Sequence, residues 1–431
     1  MSGDAKGIML GLVSVSAFTF AWTDSASAFT LTSNNVISTW SQEARTAVTV
    51  ANSGAARASR ELAIVNLSVY DAVNSVFQTY QPYYSNIVAP AGTSAEAAAS
   101  SAAYTVLSRL FPQQKTRFDQ ILAGQLELVS DPIGKAQGVS LGTSVALALL
   151  ERQANDTNTN FALNTTFGLT SADQFRSPPP PAKDSPEFAA AYNEIKEKGR
   201  LANSTRTPEE TQIGLFWANQ TNTHSSSGQA FRIAEIVAEQ EGLSLPEQAR
   251  LFGLLGIAVG DSGIAATDSK NAYGTPRPRD DIRNGDFDNN PLTVGEPTWE
   301  PLVASSGFDY PSLLSTSSGA TAAVLARFFG RDDIALTIDS PALPGVTRSF
   351  DSFSAAATEA SQSRVFSGYH YSYSNQEGRF GLGDRIGNYT FENFLQPTSA
   401  QAVPEPTTMA GLATAGILSA IWRRKRQKQA A

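Results

Sequence analysis

Apolar residues recur at intervals of three and four along most of this 431-residue chain, and this spacing limits the folds open to it. In segment 57–77 the stripe comprises Leu62, Val65, Val69, Val73 and Val76. Such a stripe predicts an amphipathic helix. Helical patterns also cover 95–111, 113–129, 133–153, 208–218, 229–241, about 245–266, 315–329, 350–366 and 382–395. No two-residue alternation is long enough to require a sheet, so the sequence predicts an all-α fold, a helical bundle with long loops.

Local signals suggest where some of these helices begin and end. Pro186 is predicted at the first position of a helix, and Gly330 ends the helix over 315–329. The helix that begins near Ser244 is predicted to end at about Ala266. The polar segment 155–181 closes in four consecutive prolines and is predicted to be a surface excursion.

Composition excludes several classes of function. The chain has 32 Lys and Arg against 40 Asp and Glu, a net charge of −8, and its only basic cluster is at the C-terminal end. We therefore expect no nucleic-acid partner. There are no cysteines, which excludes disulfides, thiolate catalysis and cysteine metal sites. The 41% hydrophobic content is enough for one large domain or two modest ones.

The N-terminal 28 residues predict a signal peptide. Lys6 supplies the positive charge, residues 8–22 form a short apolar run, and small residues precede Phe29 at a cleavage position. The alternative is a buried N-terminal helix. On the first interpretation, residues 29–400 form the exported body of the protein.

The C-terminal segment 403–431 predicts a sorting signal. A Pro-Glu-Pro motif at 404–406 leads into the apolar run 407–422, and four basic residues follow at 423–426. This order resembles the PEP-CTERM signal of exported bacterial proteins, which implies a short transmembrane helix, transient attachment to the membrane, and cleavage by exosortase-type sorting machinery. A plain single-span anchor is the alternative, although the run is shorter than the roughly 20 residues that a span needs. Either interpretation places the body outside the cytoplasm, and we expect it at the cell surface or in the extracellular matrix.

Two fragments carry residues suited to anion binding. Lys270 and Arg277 lie seven positions apart, the second in a Gly- and Pro-containing loop. A solvated loop would give the same pattern. Ser312 comes just before a predicted helix, whose N-terminal N–H groups favour an anion. The alternative for Ser312 is a simple helix cap.

One of the two histidines is close in sequence to a third cation. His370 follows Arg364 by six residues, across a predicted helix end. A guanidinium can bind an oxyanion through two hydrogen bonds, and a neutral imidazole nitrogen can bond to its central atom. A structural histidine is the alternative. The other histidine, His224, is in a polar loop and is expected to have no catalytic role.

The order of these motifs resembles the signature of vanadium-dependent haloperoxidases and type-2 phosphatidic acid phosphatases. The motifs are Lys270–x6–Arg277–Pro278, then Pro311-Ser312, then Ser363-Arg364–x5–His370. Segments 60–74, 213–218, 343–350 and 363–375 are also similar to the bacterial haloperoxidase-like branch. The resemblance runs from about residue 35 to 395. It implies a helical bundle of the haloperoxidase type, with vanadate as cofactor, or phosphate in the same site, and with small anions and peroxide as partners.

The resemblance also implies roles for individual residues. His370 would be the vanadium ligand, or would attack phosphorus in a phosphatase. The non-bridging oxygens would be held by Lys270, Arg277, Ser312 and Arg364.

The middle motif departs from the family pattern. Where the family has Pro-Ser-Gly-His, this chain has Pro311-Ser312-Leu313-Leu314. Leu314 cannot transfer the proton that the family's histidine transfers, and Leu313 adds a side chain where glycine lets the backbone approach the ligand. We therefore expect impaired peroxide-dependent halide oxidation. The alternatives are a non-catalytic oxyanion-binding surface protein and a weak acid phosphatase.

Overall fold

The computed structural model describes residues 35–154, 160, 164–218 and 223–398. The predicted signal peptide and the predicted C-terminal sorting segment lie outside these residues. Within them the chain is mostly helical, which confirms the predicted fold class.

The described part of the first half of the chain is helical, and its longest helix, Ala55–Phe77, packs against three of the others. The helices of this half are α1 (Val36–Val50), α2 (Ala55–Phe77), α3 (Ala95–Leu110), α4 (Lys115–Glu127), α5 (Pro132–Arg152), α6 (Pro186–Lys198) and α7 (Pro208–Phe216). A 3₁₀ turn, Pro112–Gln114, joins α3 to α4. Helix α6 begins at Pro186, as predicted from the sequence.

The second half supplies the elements that carry the predicted site. Its helices are α8 (Ser225–Gln240), α9 (Leu245–Tyr273), α10 (Pro278–Arg283), α11 (Leu313–Phe329), α12 (Phe353–Phe366), α13 (Ser372–Gln376) and α14 (Asp384–Asn393). A 3₁₀ turn, Gly285–Phe287, follows α10, and a π-helical segment, Glu377–Gly383, joins α13 to α14.

The core is built around α2 and α9, which lie side by side. Every residue of α9 from Gln248 to Ala266 is buried, so this helix is enclosed on all faces.

Two described stretches, Pro132–Arg152 and Leu245–Arg283, are long and apolar enough to cross a membrane. The apolar window of the second is fully buried within the protein, so its composition is that of a core helix.

Helix α9 is longer than its sequence pattern predicts. The expected end near Ala266 is wrong, because the helix continues to Tyr273 and Lys270 is in its last turn. Residues 267–273 contain neither glycine nor proline, so nothing in the backbone ends the helix there. The helix ends at Gly274, whose φ of 57° is the left-handed conformation typical of a residue just past a helix end.

Part of segment 155–181 is buried, contrary to the predicted surface excursion. Phe167 and Leu169 are 2% and 4% exposed. The carboxylate of Asp261 on α9 accepts hydrogen bonds from the N–H groups of Phe167, Gly168 and Leu169 at 2.7, 2.7 and 2.9 Å. Three backbone donors are thereby satisfied inside the protein, which allows this loop to pack into the core.

A short antiparallel hairpin interrupts the helices. Strand β1 (Leu336–Asp339) pairs with β2 (Thr347–Phe350), with Leu336 opposite Phe350. Each strand has four residues, too few for their alternation to stand out in the sequence.

Candidate functional site

His370 is held close to the C-terminal end of α12. Its N–H and that of Tyr369 donate to the carbonyl of Arg364, at 3.2 and 2.8 Å, so the chain turns back towards the helix. The imidazole is 3% exposed, and its Nδ1 lies 2.9 Å from Oδ1 of the fully buried Asp309. A carboxylate at Nδ1 favours the tautomer with its proton on that nitrogen, which leaves the lone pair on Nε2.

Burial, assisted by the positive charges around His370, keeps its imidazole neutral. Burial lowers the pKa of His370 well below its ordinary value, and the positive charges of Arg277, Lys270 and Arg364 lower it further. Burial raises the pKa of Asp309 to about 7, and Arg277 and Lys270 oppose that rise. In this pair, the carboxyl group of Asp309 therefore orients the neutral imidazole of His370.

Arg277 contacts His370 directly. It is the residue before α10, and its Nε donates to the carbonyl of Ser306 at 3.0 Å. Its Nη1 donates to the carbonyl of Tyr369 at 3.1 Å and lies 2.7 Å from Nε2 of His370. The same Nη1 is 3.1 Å from Nδ1, so the guanidinium lies close to both ring nitrogens and nearer to Nε2.

The ring of Tyr369 lies against two arginines. The guanidinium carbons of Arg277 and Arg364 are 4.7 and 4.3 Å from its centroid. A π face attracts each cation, which offsets some of the repulsion between them. Arg364 also donates through Nη1 to the carbonyl of Trp217 at 2.8 Å, but its buried Nε reaches no acceptor among the described residues.

Lys270 binds the loop that carries Asp309. Its Nζ donates to the carbonyls of Phe308 and Asp309 at 2.9 and 2.7 Å. Burial lowers the pKa of Lys270 well below its ordinary value, and Arg277 lowers it further. The ammonium group is thus next to the Asp309–His370 pair without contacting the imidazole.

Ser312 is the N-cap of α11. Its Oγ accepts from the N–H of Ser315 at 3.4 Å and from the Ser315 hydroxyl at 3.0 Å, so the helix-cap interpretation describes its contacts. Its own N–H donates to the carbonyl of Ser374, whose hydroxyl is 3.5 Å from Nδ1 of His370. Asn375 joins the same elements, accepting from Ser315 at 3.3 Å and donating to the carbonyl of His370 at 3.3 Å.

Leu313 and Leu314 are the first two residues of α11. Leu314 is 8% exposed and is part of the hydrophobic core. It lines a cavity that is mainly apolar, together with Trp217, Ile233, Leu325, Leu336, Phe353, Ala356 and Ala357. The side chain of Leu314, at the position where the resemblance implies an acid–base histidine, is thus packed with core residues.

Comparisons with known proteins assign this architecture. Residues 250–399, which include all five predicted site residues, match the VCPO second helical-bundle domain. No curated protein sequence matches the chain. The crystal structure described as that of the first bacterial vanadium-dependent iodoperoxidase is similar over 84% of this chain and 97% of its own, with a TM-score of 0.74 and 22% identity. This is the vanadium-dependent haloperoxidase fold.

Two further crystal structures, described as apo-type and holo-type bacterial vanadium-dependent chloroperoxidase, are also similar to this chain. The apo bacterial vanadium-dependent chloroperoxidase covers 80% of this chain and 95% of its own, with a TM-score of 0.65 and 15% identity. The match to the holo form covers 82% of this chain and 95% of the holo form, with a TM-score of 0.64 and 16% identity. Similarity at these identities assigns the fold.

The donor groups on this haloperoxidase fold suit a tetrahedral oxyanion such as vanadate or phosphate. Lys270, Arg277 and Arg364 provide three cations beside one carboxyl group, that of Asp309, which leaves a surplus of positive charge in a buried place. Nε of Arg364 and Oδ2 of Asp309 are buried without partners among the described residues. Buried cations without counter-charge are costly, and an oxyanion supplies both charge and acceptors.

Sequence patterns did not predict two residues of this cluster. Asp309 is three positions before Ser312, where nothing in its spacing distinguishes it from a loop acid, and Tyr369 is adjacent to His370. The other histidine, His224, lies apart from the cluster, with its Nε2 2.9 Å from Oε1 of Gln229.

Proposed function

We propose that the chain binds a tetrahedral oxyanion, vanadate or phosphate, and that it catalyses peroxide-dependent halide oxidation slowly when vanadate is bound. The observation that carries this proposal is the buried cluster in which Arg277 contacts the neutral His370 and shares the Tyr369 ring with Arg364. The haloperoxidase fold supports the choice of vanadate.

Each residue of the cluster has a distinct proposed role. Asp309 holds the proton of His370 on Nδ1, so Nε2 is the nitrogen available to bond the vanadium atom. With an oxyanion bound, Arg277 would donate its N–H groups to the oxygens of the anion instead of contacting Nε2, and Arg364 and Lys270 would hold the same oxygens. Ser312 orders the N-terminus of α11 beside them. Bound vanadate would supply a Lewis-acidic centre that activates peroxide towards halide.

Leu314 limits the proposed turnover. A general acid–base group typically contributes 10²–10⁴-fold to a rate, which corresponds to roughly 3–5 kcal/mol of barrier. A leucine side chain cannot exchange a proton, and this one packs in an apolar cavity. Because leaving-group protonation needs the same group, a phosphatase activity would be weak for the same reason.

A vanadate titration of the purified full chain, with a bromide- and iodide-oxidation assay on the same samples, tests the proposal. We expect saturable vanadate binding and slow, vanadate-dependent halide oxidation. His370→Ala is expected to abolish the oxidation and weaken the binding. A chain that binds neither vanadate nor phosphate would refute the proposal.

The second candidate is a non-catalytic oxyanion-binding protein on the same fold. The contact between Arg277 and Nε2 of His370 favours it, because that contact satisfies the nitrogen that would bond the ligand's central atom. Tight vanadate binding without any halide oxidation supports this candidate. Oxidation that saturates with vanadate and disappears in His370→Ala excludes it.

For location, we propose export through the N-terminal signal peptide and attachment at the cell surface through segment 403–431. The apolar run and the basic residues of that segment support sorting by an exosortase at the membrane. Mass spectrometry of the mature protein tests this. We expect an N-terminus near Phe29 and loss of the basic C-terminal residues, and intact ends on a cytoplasmic protein would refute it.

A further inference from the structure

A second cavity lies beside the predicted site but is lined by other residues. It has a volume of about 430 Å³ and is bordered by α6, α7, α12, α13 and the π-helical segment. None of the five predicted oxyanion residues lines it. Its walls include Ser361, Gln362, Asn375, Arg379 and Phe380.

Arg379 is a buried cation whose hydrogen-bond partners are neutral. It is 6% exposed, and it donates through Nη1 to Oγ1 of Thr358 at 2.6 Å and through Nη2 to the carbonyl of Ser354 at 2.9 Å. None of the ion pairs among the described residues includes Arg379, and its Nε reaches no acceptor among them. The carboxylates of Asp384 and Asp332 favour its charged form only from a distance. A guanidinium has five N–H donors, so these two hydrogen bonds leave much of its capacity unused. A buried guanidinium with unused N–H donors favours an anionic partner.

Two neighbours add polar and apolar recognition to the same cavity. The hydroxyl of Ser361 is buried without a partner among the described residues. The ring of Phe380 is 57% exposed, and its centroid is 4.2 Å from the guanidinium carbon of Arg379. Val365 and Phe366 line the cavity as well, so unused donors and apolar surface lie together.

The other charged groups of the cavity do not neutralise Arg379. Lys198 is paired with Glu210, with Nζ 2.6 and 2.8 Å from the two carboxylate oxygens. Glu194 is exposed and is on α6, where solvent screens its charge. Arg379 is thus the cation of this lining without an ion pair. Asp384 and Asp332, which are outside the lining, raise its pKa, but burial lowers that pKa by more.

We propose that this cavity binds a small organic carboxylate. The carboxylate accepts hydrogen bonds from Arg379 and Ser361, and its apolar body packs against Phe380 and Phe366. This inference is independent of vanadate binding, because it rests on none of the residues assigned to the oxyanion.

Calorimetric titration of the full chain with benzoate, and with neutral benzamide of similar shape, tests the proposal. We expect benzoate to bind at least about tenfold more tightly than benzamide, because a charge-assisted hydrogen bond requires the anion. Arg379→Gln should weaken benzoate binding about tenfold or more, and Ser361→Ala several-fold. Arg385→Gln is the matched control, since Arg385 also lies over an aromatic ring, that of Phe175, but outside the cavity.

Two further variants keep the test decisive. Phe380→Leu leaves Arg379 in place and should weaken benzoate several-fold, which covers the case in which Arg379→Gln does not fold. Arg277→Gln should leave benzoate affinity unchanged, which separates this cavity from the oxyanion cluster. Equal binding of benzamide and benzoate would overturn the proposal, as would benzoate binding that survives both Arg379→Gln and Phe380→Leu.

Discussion

Oδ1 of Asp309 lies 2.9 Å from Nδ1 of His370, although 61 positions separate the two residues in the chain. This contact fixes which nitrogen of the imidazole keeps its lone pair. The same loop is held by Lys270 through the carbonyls of Phe308 and Asp309. The orientation of His370 therefore depends on a carboxyl group and a lysine from two other elements.

Replacing Asp309 by asparagine should weaken vanadate binding by about 10–100-fold. The amide can donate to Nδ1, which moves the imidazole proton to Nε2 and removes the lone pair needed for bonding. Vanadate titration measures the loss, and histidine ¹⁵N chemical shifts measure the tautomer. Asp268→Asn, which alters an exposed ion pair with Arg176, is the control. An unchanged affinity would mean that Asp309 does not position His370.

The double change Leu313→Gly with Leu314→His should raise halide oxidation by about 10²-fold, because it restores a proton-transferring group. It should also lower stability by roughly 1–3 kcal/mol, since an imidazole would replace an apolar side chain in an apolar cavity. Steady-state oxidation rates and thermal melts measure the two effects. Leu313→Gly with Leu314→Ala serves as the control without a proton donor. No gain in rate with vanadate bound would show that position 314 does not face the oxyanion.

Tyr369→Ala should weaken oxyanion binding by about tenfold, while Tyr369→Phe should leave it nearly unchanged. The ring contacts both Arg277 and Arg364, and each cation–π contact contributes roughly 0.5–1 kcal/mol. Phenylalanine keeps the ring and alanine removes it. Vanadate and phosphate titrations of both variants provide the comparison. Equal losses in the two variants would assign the effect to the hydroxyl instead.

Gly378→Ala should destabilise the protein by about 1–3 kcal/mol and weaken oxyanion binding. A Cβ on Gly378 would lie 2.6 Å from the carbonyl oxygen of Ser312, so the π-helical segment must move away from the start of α11. Denaturant unfolding and vanadate titration measure the two effects. Gly54→Ala is the control, because a Cβ there has no neighbour within 4 Å. A fully stable Gly378→Ala protein would contradict this close approach.

His224 should make stability fall as the pH falls from about 6.5 towards 4. Burial lowers the pKa of His224 to about 4 in the folded state, whereas an unfolded histidine titrates near 6.5. Between these values the unfolded chain binds a proton that the folded chain does not, so acid favours unfolding. Comparison with His224→Gln cancels the contributions of other groups. The stability difference should change across this window, and parallel pH profiles would show that His224 does not titrate as expected.

Sequence patterns predicted most helices because their signals are local. Pro186 begins α6 and Gly330 follows the end of α11, as expected from backbone preferences alone. The pattern failed where tertiary contacts override local polarity. Asp261 accepts hydrogen bonds from three N–H groups of the loop at 167–169. That loop is therefore buried, although the residues beside it in the sequence are mostly polar.

The sequence by itself determined the helical class and identified five candidate site residues, because helical periodicity and short motifs can be recognised without tertiary contacts. Tertiary structure decided how those residues meet. Arg277 and His370 lie 93 positions apart, and their contact exists only because α10 and the end of α12 are brought together. Packing likewise decided that Leu314 lies in an apolar cavity, since the environment of a side chain depends on elements distant in sequence.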